Sequence, residues 1–592
     1  MTDLLRRPAG QDARQDVPAP RSRHRPRRWT VPAGPTAVLL VLLVVVAAPL
    51  AMVLLTALTG YGDSPSALGD LGDGDLPRIL GNTVWLSVLV VMFSTVLAAP
   101  LAFLTSWTQL RRHRWIDLLV MVPFMTPPFV AAMAWMDVTR LGGVADMLFG
   151  SVVGGAVRGT VNSVWGMALI MSCELFPFLY LLLRTCLDAI PASSVEMASV
   201  TGASRWRILA RVVLPQVVGP WSLGALILFV RAAGEFGTPV TLGNAIGYPV
   251  LVSRIHRDVT IDPLDFSSAS VGAALLFTLG ISVWCVQQWF SRDARADGRT
   301  GRPVSLTLRG SVLALGWAWI GVVALVSVVV PYVSIILGAT TILRSRPPTP
   351  DNLTLDYFAI VLSSDQAREA LTTSALLGAV GATSAVLLAL AVTLVTALRG
   401  TPTGTQDATS GRLRSRVTDF LAVSPETVPA IVLAIGFIFL WNARWLPWTP
   451  YNTPWILVLG YTALFLPMAV QNIKTSAQAV SPAVFEAATV AGASSWLSFR
   501  RITVPLLVPG LVAGWLLAFL TGIRELVMAS LIRPSDMTLL SPWIMGQFDQ
   551  GHRTEAMAMT LIGVFSSTVV LLVVQTWLAR RTTPRPTGEA AS

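Results

Sequence analysis

Twelve long runs of apolar residues follow one another along the chain, separated by short polar stretches. A helix needs about 20 apolar residues to cross the hydrocarbon core of a bilayer. We therefore predict an all-α polytopic membrane protein with twelve transmembrane helices, called spans 1 to 12. They lie near residues 36–58, 83–106, 117–138, 164–184, 217–239, 267–290, 311–337, 371–398, 417–441, 455–473, 508–531 and 557–578.

The composition supports a lipid environment. Of the 592 residues, 53% are hydrophobic and 13% are charged, whereas about 25% of the residues in soluble domains are charged. This composition excludes an ordinary soluble enzyme. The three cysteines, Cys173, Cys186 and Cys285, lie in or beside apolar stretches. They predict neither a disulfide framework nor a metal site.

Basic residues set the orientation. If the N-terminus is cytoplasmic, 30 of the 43 basic residues fall in segments on that side. These segments are 1–35, 107–116, 184–216, 291–310, 399–416, 474–507 and 579–592. The positive-inside rule then predicts a multi-pass protein of the cytoplasmic (inner) membrane with both termini in the cytoplasm. Anchoring of this kind accounts for the net charge of +11, and no nucleic-acid partner is predicted.

The chain repeats itself at an offset of 290 residues. The segment from Glu196 to Ser204 matches the segment from Glu486 to Ser494. The same offset carries Trp206 onto Trp496, Pro215 onto Pro505, Pro177 onto Pro467 and Glu235 onto Glu525. Each copy holds an even number of spans, so we predict two homologous six-helix halves in parallel orientation. The predicted units are a disordered cytoplasmic tail (1–35), a first half (36–290), a cytoplasmic linker (291–310), a second half (311–578) and a cytoplasmic tail (579–592).

The repeated segments lie in two cytoplasmic loops, at about 188–216 and 478–506. Each loop predicts a short helix that ends at a glycine with positive φ, Gly202 or Gly492. Ser204 or Ser494 then caps a second short helix. We expect the helix-turn-helix to expose a surface of glutamate, alanine and glycine, against which another protein can pack closely.

These loops resemble the EAA motif of the inner-membrane permeases of binding-protein-dependent ABC importers. The matching positions are Glu196, Ala198, Gly202, Ala203, Glu486, Ala487, Ala488, Gly492 and Ala493. The first copy departs at Met197, where the motif has alanine. The resemblance implies the type I ABC importer permease fold. It also implies that each loop docks on one subunit of an ATPase dimer, and that an extracytoplasmic binding protein delivers the ligand.

The chain has no phosphate-binding loop of its own. Such a loop ends in Gly-Lys-Ser/Thr, because its lysine must reach the nucleotide phosphates. Lys474 is the single lysine, and it follows Asn472 and Ile473 instead of glycine. We therefore predict a transport subunit that is not an enzyme and holds no cofactor, with ATP and Mg²⁺ bound by the partner ATPase.

Four ionisable residues near the ends of spans 5 and 11 are candidates for the translocation path: Glu235, Glu525, Arg231 and Arg524. Ionisable groups in lipid are costly and mark functional sites by default. Arg231 precedes Glu235 by one helical turn, which permits an ion pair, whereas Arg524 points about 100° away from its neighbour Glu525. Structural pairing and a direct role in the path both stay open. For Glu174 and Glu426, each of which has no counterpart in the other half, we predict structural roles.

The substrate is indicated only by resemblance. The sequence Gly-Glu-Phe-Gly-Thr-Pro at 234–239 and the proline-rich span 3 resemble the fused ferric-iron branch of these permeases. Related branches carry thiamine, polyamine, phosphonate, or sulfate and molybdate. No cluster typical of iron coordination stands out. A proton-coupled secondary transporter with Glu235 and Glu525 as relay carboxylates is the rival, but it leaves the repeated loops unexplained. A membrane enzyme is a poor alternative, because no His/Asp/Ser or His/Cys set lies at a common membrane depth in the sequence.

Overall fold

The structure, a computed structural model, describes residues 34–62, 64–71, 74–123, 126–291, 304–396 and 407–582. The predicted tails and the linker fall largely outside these residues. Within the described ranges the chain is helical and contains no strand, only isolated bridges. This confirms the all-α class that the apolar runs predict.

The helices of the two halves follow a similar order, except that Val144–Val161 has no counterpart in the second half and two short helices of the second half correspond to 3₁₀ or π turns of the first. In the first half they are α1 Gly34–Thr59, α2 Leu76–Trp107, α3 Trp115–Met121, α4 Pro128–Val138, α5 Val144–Val161, α6 Val164–Ala189, α7 Ala192–Val200, α8 Arg205–Ala233, α9 Leu251–Thr260 and α10 Phe266–Ser291. In the second half they are α11 Gly310–Thr340, α12 Asp356–Ser363, α13 Asp365–Thr396, α14 Asp407–Val423, α15 Ala430–Trp441, α16 Pro454–Gln478, α17 Pro482–Val490, α18 Trp496–Ile523, α19 Val527–Leu531, α20 Leu540–Asp549 and α21 Arg553–Thr582.

Each half is built on three tightly packed helices. In the first half α2, α6 and α8 pack on one another, and in the second half α13, α16 and α18 do the same. A π-helical turn near the start of the last helix of each trio, at Leu209–Val213 and Phe499–Thr503, lies at the repeat offset of 290 residues. The repeat found in the sequence is therefore a repeat of packing, down to a local irregularity of the helix.

The first span of each half packs against the third span of the other half. Helix α1 lies on α15, where a side chain at Gly436 would collide with the backbone of Pro49. Helix α11 lies on α4, where the Ser334 hydroxyl donates a 2.9 Å hydrogen bond to the carbonyl oxygen of Ala134. The two halves are thus interlocked and do not merely lie side by side.

The predicted spans 117–138 and 417–441 are not single helices, and this part of the prediction was wrong. Span 3 is divided into α3 and α4 around Pro123 and Pro127. Span 9 is divided into α14 and α15, which meet at an angle of 114° beside Pro429. Proline lacks an amide hydrogen and forces the preceding residue out of helical geometry, so each cluster of prolines ends one helix and starts another.

The helix α5 was not predicted, although it is one of eleven helices long and apolar enough to cross a membrane. It is bent at Gly150, where φ is +79°. The guanidinium of Arg158 lies 2.5 Å from the carboxylate of Asp146, whereas twelve residues of straight helix would hold the two backbones about 18 Å apart. We infer that α5 folds back on itself and does not cross. The ten remaining long helices and the two divided spans reproduce the predicted total of twelve.

The fold of α5 predicts that cysteines placed near its two ends can be joined by a short cross-linker. In a background where Cys173, Cys186 and Cys285 are replaced by serine, Asp146→Cys with Arg158→Cys should be joined by a short bis-methanethiosulfonate reagent, because the two positions lie within reach of one arginine side chain, whereas a straight helix would hold them about 18 Å apart. A mobility shift on a non-reducing gel measures the product. The matched control, Leu169→Cys with Leu181→Cys, has the same spacing in the long helix α6 and should not cross-link. Equal behaviour of the two pairs would show that α5 is a straight helix.

Candidate functional site

The first repeated loop has the predicted helix-turn-helix geometry. Helix α7 ends at Gly202, whose φ is +78°, and the amide of Ala203 reaches back to the carbonyl oxygen of Ala198 at 3.2 Å. The hydroxyl of Ser204 then accepts a hydrogen bond from the amide of Arg207 and caps α8. The glycine is required because a residue with a Cβ atom rarely adopts this backbone conformation.

The second loop repeats these contacts. Helix α17 ends at Gly492, with φ of +74°, and the amide of Ala493 reaches the carbonyl oxygen of Ala488 at 3.0 Å. The hydroxyl of Ser494 accepts a hydrogen bond from the amide of Leu497 at 3.3 Å and caps α18. The side chain of Glu486 lies outside the described part of the structure. The two loops therefore offer equivalent backbone surfaces.

The exposed surface of the loops is more apolar than predicted. Glu196 and the two loop glycines are exposed, as is Ala487, but Ala198, Ala203 and Ala493 are half-buried and Ala488 is buried. Two pairs of exposed apolar side chains match at the repeat offset: Val200 with Val490, and Trp206 with Trp496. Paired apolar side chains of this size on a polar loop are typical of a protein interaction site.

An ion pair connects span 3 to span 4 beside the first loop, and span 9 to span 10 beside the second. In the first half the guanidinium of Arg184 on α6 pairs with Asp117 on α3. In the second half Lys474 on α16 pairs with Asp419 on α14 at 2.6 Å. The sole lysine of the chain therefore takes the place of an arginine of the first half. Each pair ties a divided span to the helix that leads into its loop.

The carboxylates of Glu235 and Glu525 cap helices that restart within the membrane-spanning part of the chain. Glu235 follows the end of α8 and accepts hydrogen bonds from the amides of Gly237 (2.7 Å) and Thr238 (3.1 Å). Glu525 accepts from three successive amides at the start of α19, at distances of 2.9 to 3.1 Å. The two glutamates thus have equivalent partners, and these partners are backbone groups.

Arg231 pairs across the two halves, and the intrahelical pair with Glu235 that the spacing permits does not form. Its guanidinium lies 3.7 Å from the carboxylate of Glu426, in the turn that divides span 9. It also lies over the ring of Phe178, at 4.6 Å from the ring centroid. Gln471 donates a hydrogen bond to the same Glu426 carboxylate. Glu426, which we expected to be structural, is therefore the acceptor that joins the first half to the second.

The end of span 11 makes the reciprocal contact with the first half. Arg524 donates a hydrogen bond of 3.4 Å to the carbonyl oxygen of Thr126 in the break of span 3. The equivalent residue of the first half is Gly234, where an added Cβ would lie only 2.6 Å from the Cβ of Pro429. The end of the fifth span of each half thus meets the break in the third span of the other half.

Comparison with known proteins identifies the family to which this chain belongs. A family model described as "Binding-protein-dependent transport system inner membrane component" matches residues 95–296 and 400–584. The chain belongs to this family. One match lies in each half, and each contains a repeated loop and a divided third span. The protein is therefore the permease of an ABC importer and an inner-membrane transport component.

Three relatives are similar to this permease along most of its length. The ferric transport system permease protein FbpB of Actinobacillus pleuropneumoniae is 21% identical over 82% of this chain and 69% of its own. The Fe(3+)-transport system permease protein FbpB 2 of Haemophilus influenzae is 22% identical over 79% of this chain and 83% of its own. The probable ABC transporter permease protein y4fN of Sinorhizobium fredii is 23% identical over 85% and 88%. Each similarity extends across both halves.

The ion pair of Lys474 with Asp419 predicts a specific pattern of stability in the purified permease. Lys474→Met should shorten the half-life of the folded protein at a fixed elevated temperature, with a loss of about 1 kcal/mol, since partly exposed ion pairs contribute about 0.2–1 kcal/mol. Lys474→Arg should retain the stability, because Arg184 already performs this role in the first half. The charge swap of Lys474→Asp with Asp419→Lys should recover much of it. Equal half-lives for all variants would contradict a structural role.

The capping role of Glu525 predicts that its charge matters less than its hydrogen-bond acceptors. Glu525→Gln keeps an acceptor oxygen and should fold and insert normally. Glu525→Leu leaves amides without a partner and should destabilise the permease by about 1–2 kcal/mol, the usual range for a lost helix cap. Thermal unfolding followed by fluorescence measures both. Glutamine and leucine variants of equal stability would show that the cap is dispensable.

Proposed function

We propose that this permease forms the path through which ferric iron, delivered by an extracytoplasmic binding protein, enters the cytoplasm. Two relatives that carry ferric transport in their names are similar to it across both halves. The fused arrangement of two halves in one chain agrees with that branch. Thiamine, polyamine, phosphonate, and sulfate or molybdate are the alternative ligands for the same role.

The pair of equivalent cytoplasmic loops is the observation that supports coupling of this permease to an ATPase. Their glycines, caps and exposed Val and Trp side chains match at the repeat offset. We propose that each loop docks on one subunit of an ATPase dimer. The contact residues would be Glu196, Ala198, Gly202, Ala203, Glu486, Ala487, Ala488, Gly492 and Ala493, with the half-buried alanines shaping the backbone that approaches the partner.

The partner must supply ATP hydrolysis under this proposal. The sequence lacks the Gly-Lys-Ser/Thr signature, and the only lysine pairs with Asp419. ATP and Mg²⁺ would bind to the ATPase subunits, and this chain would act as a transport subunit without an enzymatic site. The basic segments near the loops support the proposal that both termini lie in the cytoplasm.

The contacts between the halves support a mechanism of alternating access. The pair of Arg231 with Glu426 and the contact of Arg524 with Thr126 both join a fifth span to the broken third span of the other half. Separation of the halves at this level would require both contacts to break. The ion pairs of Asp117 and Asp419 lie between these breaks and the loops, and would transmit movement of the ATPases to the path.

Ferric iron is the cargo in this proposal and need not be held tightly. Among the described residues no three His, Cys, Asp or Glu side chains lie close enough to hold a metal ion. The carboxylates of Glu235 and Glu525 are both engaged by backbone amides. We propose that these two residues shape the path by capping its helices, and that selection of the ligand belongs to the binding protein.

Reversal of the charge at both loop glutamates tests the coupling role. The variant with Glu196→Arg and Glu486→Arg should insert into the membrane normally but lose about tenfold or more of the co-purifying ATPase, since like effects on two docking contacts add. The control Glu369→Arg makes the same charge change on an exposed residue of α13, at the opposite face. Undiminished association of the double variant would exclude these loops as the docking sites.

The rival transporter driven by protons predicts a different result in the same preparation. Vesicles that contain the permease without ATPase should show no uptake when a pH gradient is applied. Addition of the ATPase, the binding protein and ATP should start uptake. Uptake driven by the gradient alone, and lost in Glu235→Gln and Glu525→Gln variants, would favour the relay function.

A further inference from the structure

A cavity of about 260 Å³ opens at the end of the second half that lies away from the repeated loops. It lies between the start of α13, the segment that connects α19 to α20, and α20 itself. Its lining residues are Gln366, Arg533, Thr538, Leu539, Pro542, Trp543, Gly546, Gln547 and Gln550. The volume is just below the range of about 300–1,000 Å³ typical of sites for drug-sized ligands, so it suits a small ion or a small organic acid.

The polar groups of this cavity are a guanidinium and an indole, which only donate hydrogen bonds, and three glutamine amides and a threonine hydroxyl, which donate and accept them. Arg533 supplies a guanidinium, and one of its nitrogens donates to the carbonyl oxygen of Met537 at 2.5 Å, which fixes the loop. Trp543 is only 9% exposed, yet its indole N–H has no hydrogen-bond partner among the described residues. None of the described lining residues is acidic. A site of this composition favours an anion with oxygen acceptors.

At the corresponding place in the first half, the polar side chains pair with each other. Helices α9 and α20 are both ten residues long, and in each the first amide donates to a hydroxyl on the second span of its half, Thr83 or Ser374. This contact aligns the two helices residue by residue. Positions four and eight of α9 hold Arg254 and Asp258, which form an ion pair at 2.8 Å.

In α20 the same two positions hold Trp543 and Gln547. The pair found in the first half is absent here, and the indole nitrogen of Trp543 and the amide oxygen of Gln547 are both buried without a partner among the described residues. Buried polar atoms in folded proteins nearly always have a partner. Both residues line the cavity, so a ligand that accepts a hydrogen bond from the indole and donates one to the amide oxygen would satisfy them. Gly546, between them, adds room, because a Cβ there would meet nothing within 4 Å.

We propose that this cavity binds a small oxyanion, a carboxylate or a phosphate group, at the extracytoplasmic face of the second half. Arg533 would supply the positive charge, the indole of Trp543 would donate a hydrogen bond to an oxygen of the anion, and the amide oxygen of Gln547 would accept one from a hydroxyl of the same ligand. The site lies apart from the breaks of spans 3 and 9, so it is additional to the translocation path. It also belongs to one half alone, because Arg254 and Asp258 fill its counterpart.

Binding to the purified full-length permease, without ATPase or binding protein, tests this site independently of transport. The probes are inorganic phosphate and citrate, added to protein in detergent, and phosphatidylglycerol in lipid nanodiscs. Isothermal titration should show saturable binding of a free probe, or mass spectrometry should show retention of the lipid. A response to the free probes identifies a soluble anion, and a response only to the lipid identifies a headgroup. Either result supports an oxyanion site.

Three variants then locate the binding. Arg533→Gln should weaken it about tenfold or more, and Gly546→Leu should abolish it by filling the cavity. The double variant Trp543→Arg with Gln547→Asp copies the ion pair of the first half, so it should fold normally and also lose binding. The controls Arg368→Gln, an exposed arginine of α13 outside the lining, and Gly155→Leu, at an equally open glycine of α5, should bind normally. No saturation by any probe at about 10 mM, or equal binding by all variants, would overturn the proposal.

Discussion

Hydrocarbon supplies no hydrogen bonds to a helix that stops inside the membrane, and the rest of this structure depends on how that constraint is met. A transport path needs irregular backbone, and the chain has it where α8 and α18 end and helix resumes. Glu235 and Glu525 satisfy the freed amides at those two places. The costly carboxylates are therefore a consequence of the broken helices, and their equivalence follows from the repeat.

The breaks also determine how the halves fit together. The short helices α4 and α15, which follow the breaks, each pack against the first span of the other half. The ends of the fifth spans then reach the same breaks, through Arg231 on one side and Arg524 on the other. A movement that changes one break must change the interface between the halves, which links local backbone geometry to opening of the whole molecule.

Much of this organisation could be predicted because its signals are periodic or local. Apolar runs gave the number of spans, the 290-residue offset gave the halves, and glycine followed by a capping serine gave the turn of each loop. What could not be predicted depends on contacts distant in sequence. Arg231 had a good partner one turn away in Glu235, and only the folded chain brings Glu426 to it. Likewise, α5 is apolar enough to cross, and only the contact of Arg158 with Asp146 shows that it turns back.

Gly234 and Arg524 also limit how this protein can be assembled. They occupy equivalent positions, but Gly234 has no room for a side chain beside Pro429, whereas Arg524 carries a long basic side chain that reaches the first half. In a symmetric dimer of the second half, each Arg524 would meet Pro429 of the other copy, where there is no room for a side chain. Two copies of the first half would lack the arginine contact altogether. Joining the halves in one chain makes such pairings unnecessary and guarantees one copy of each surface.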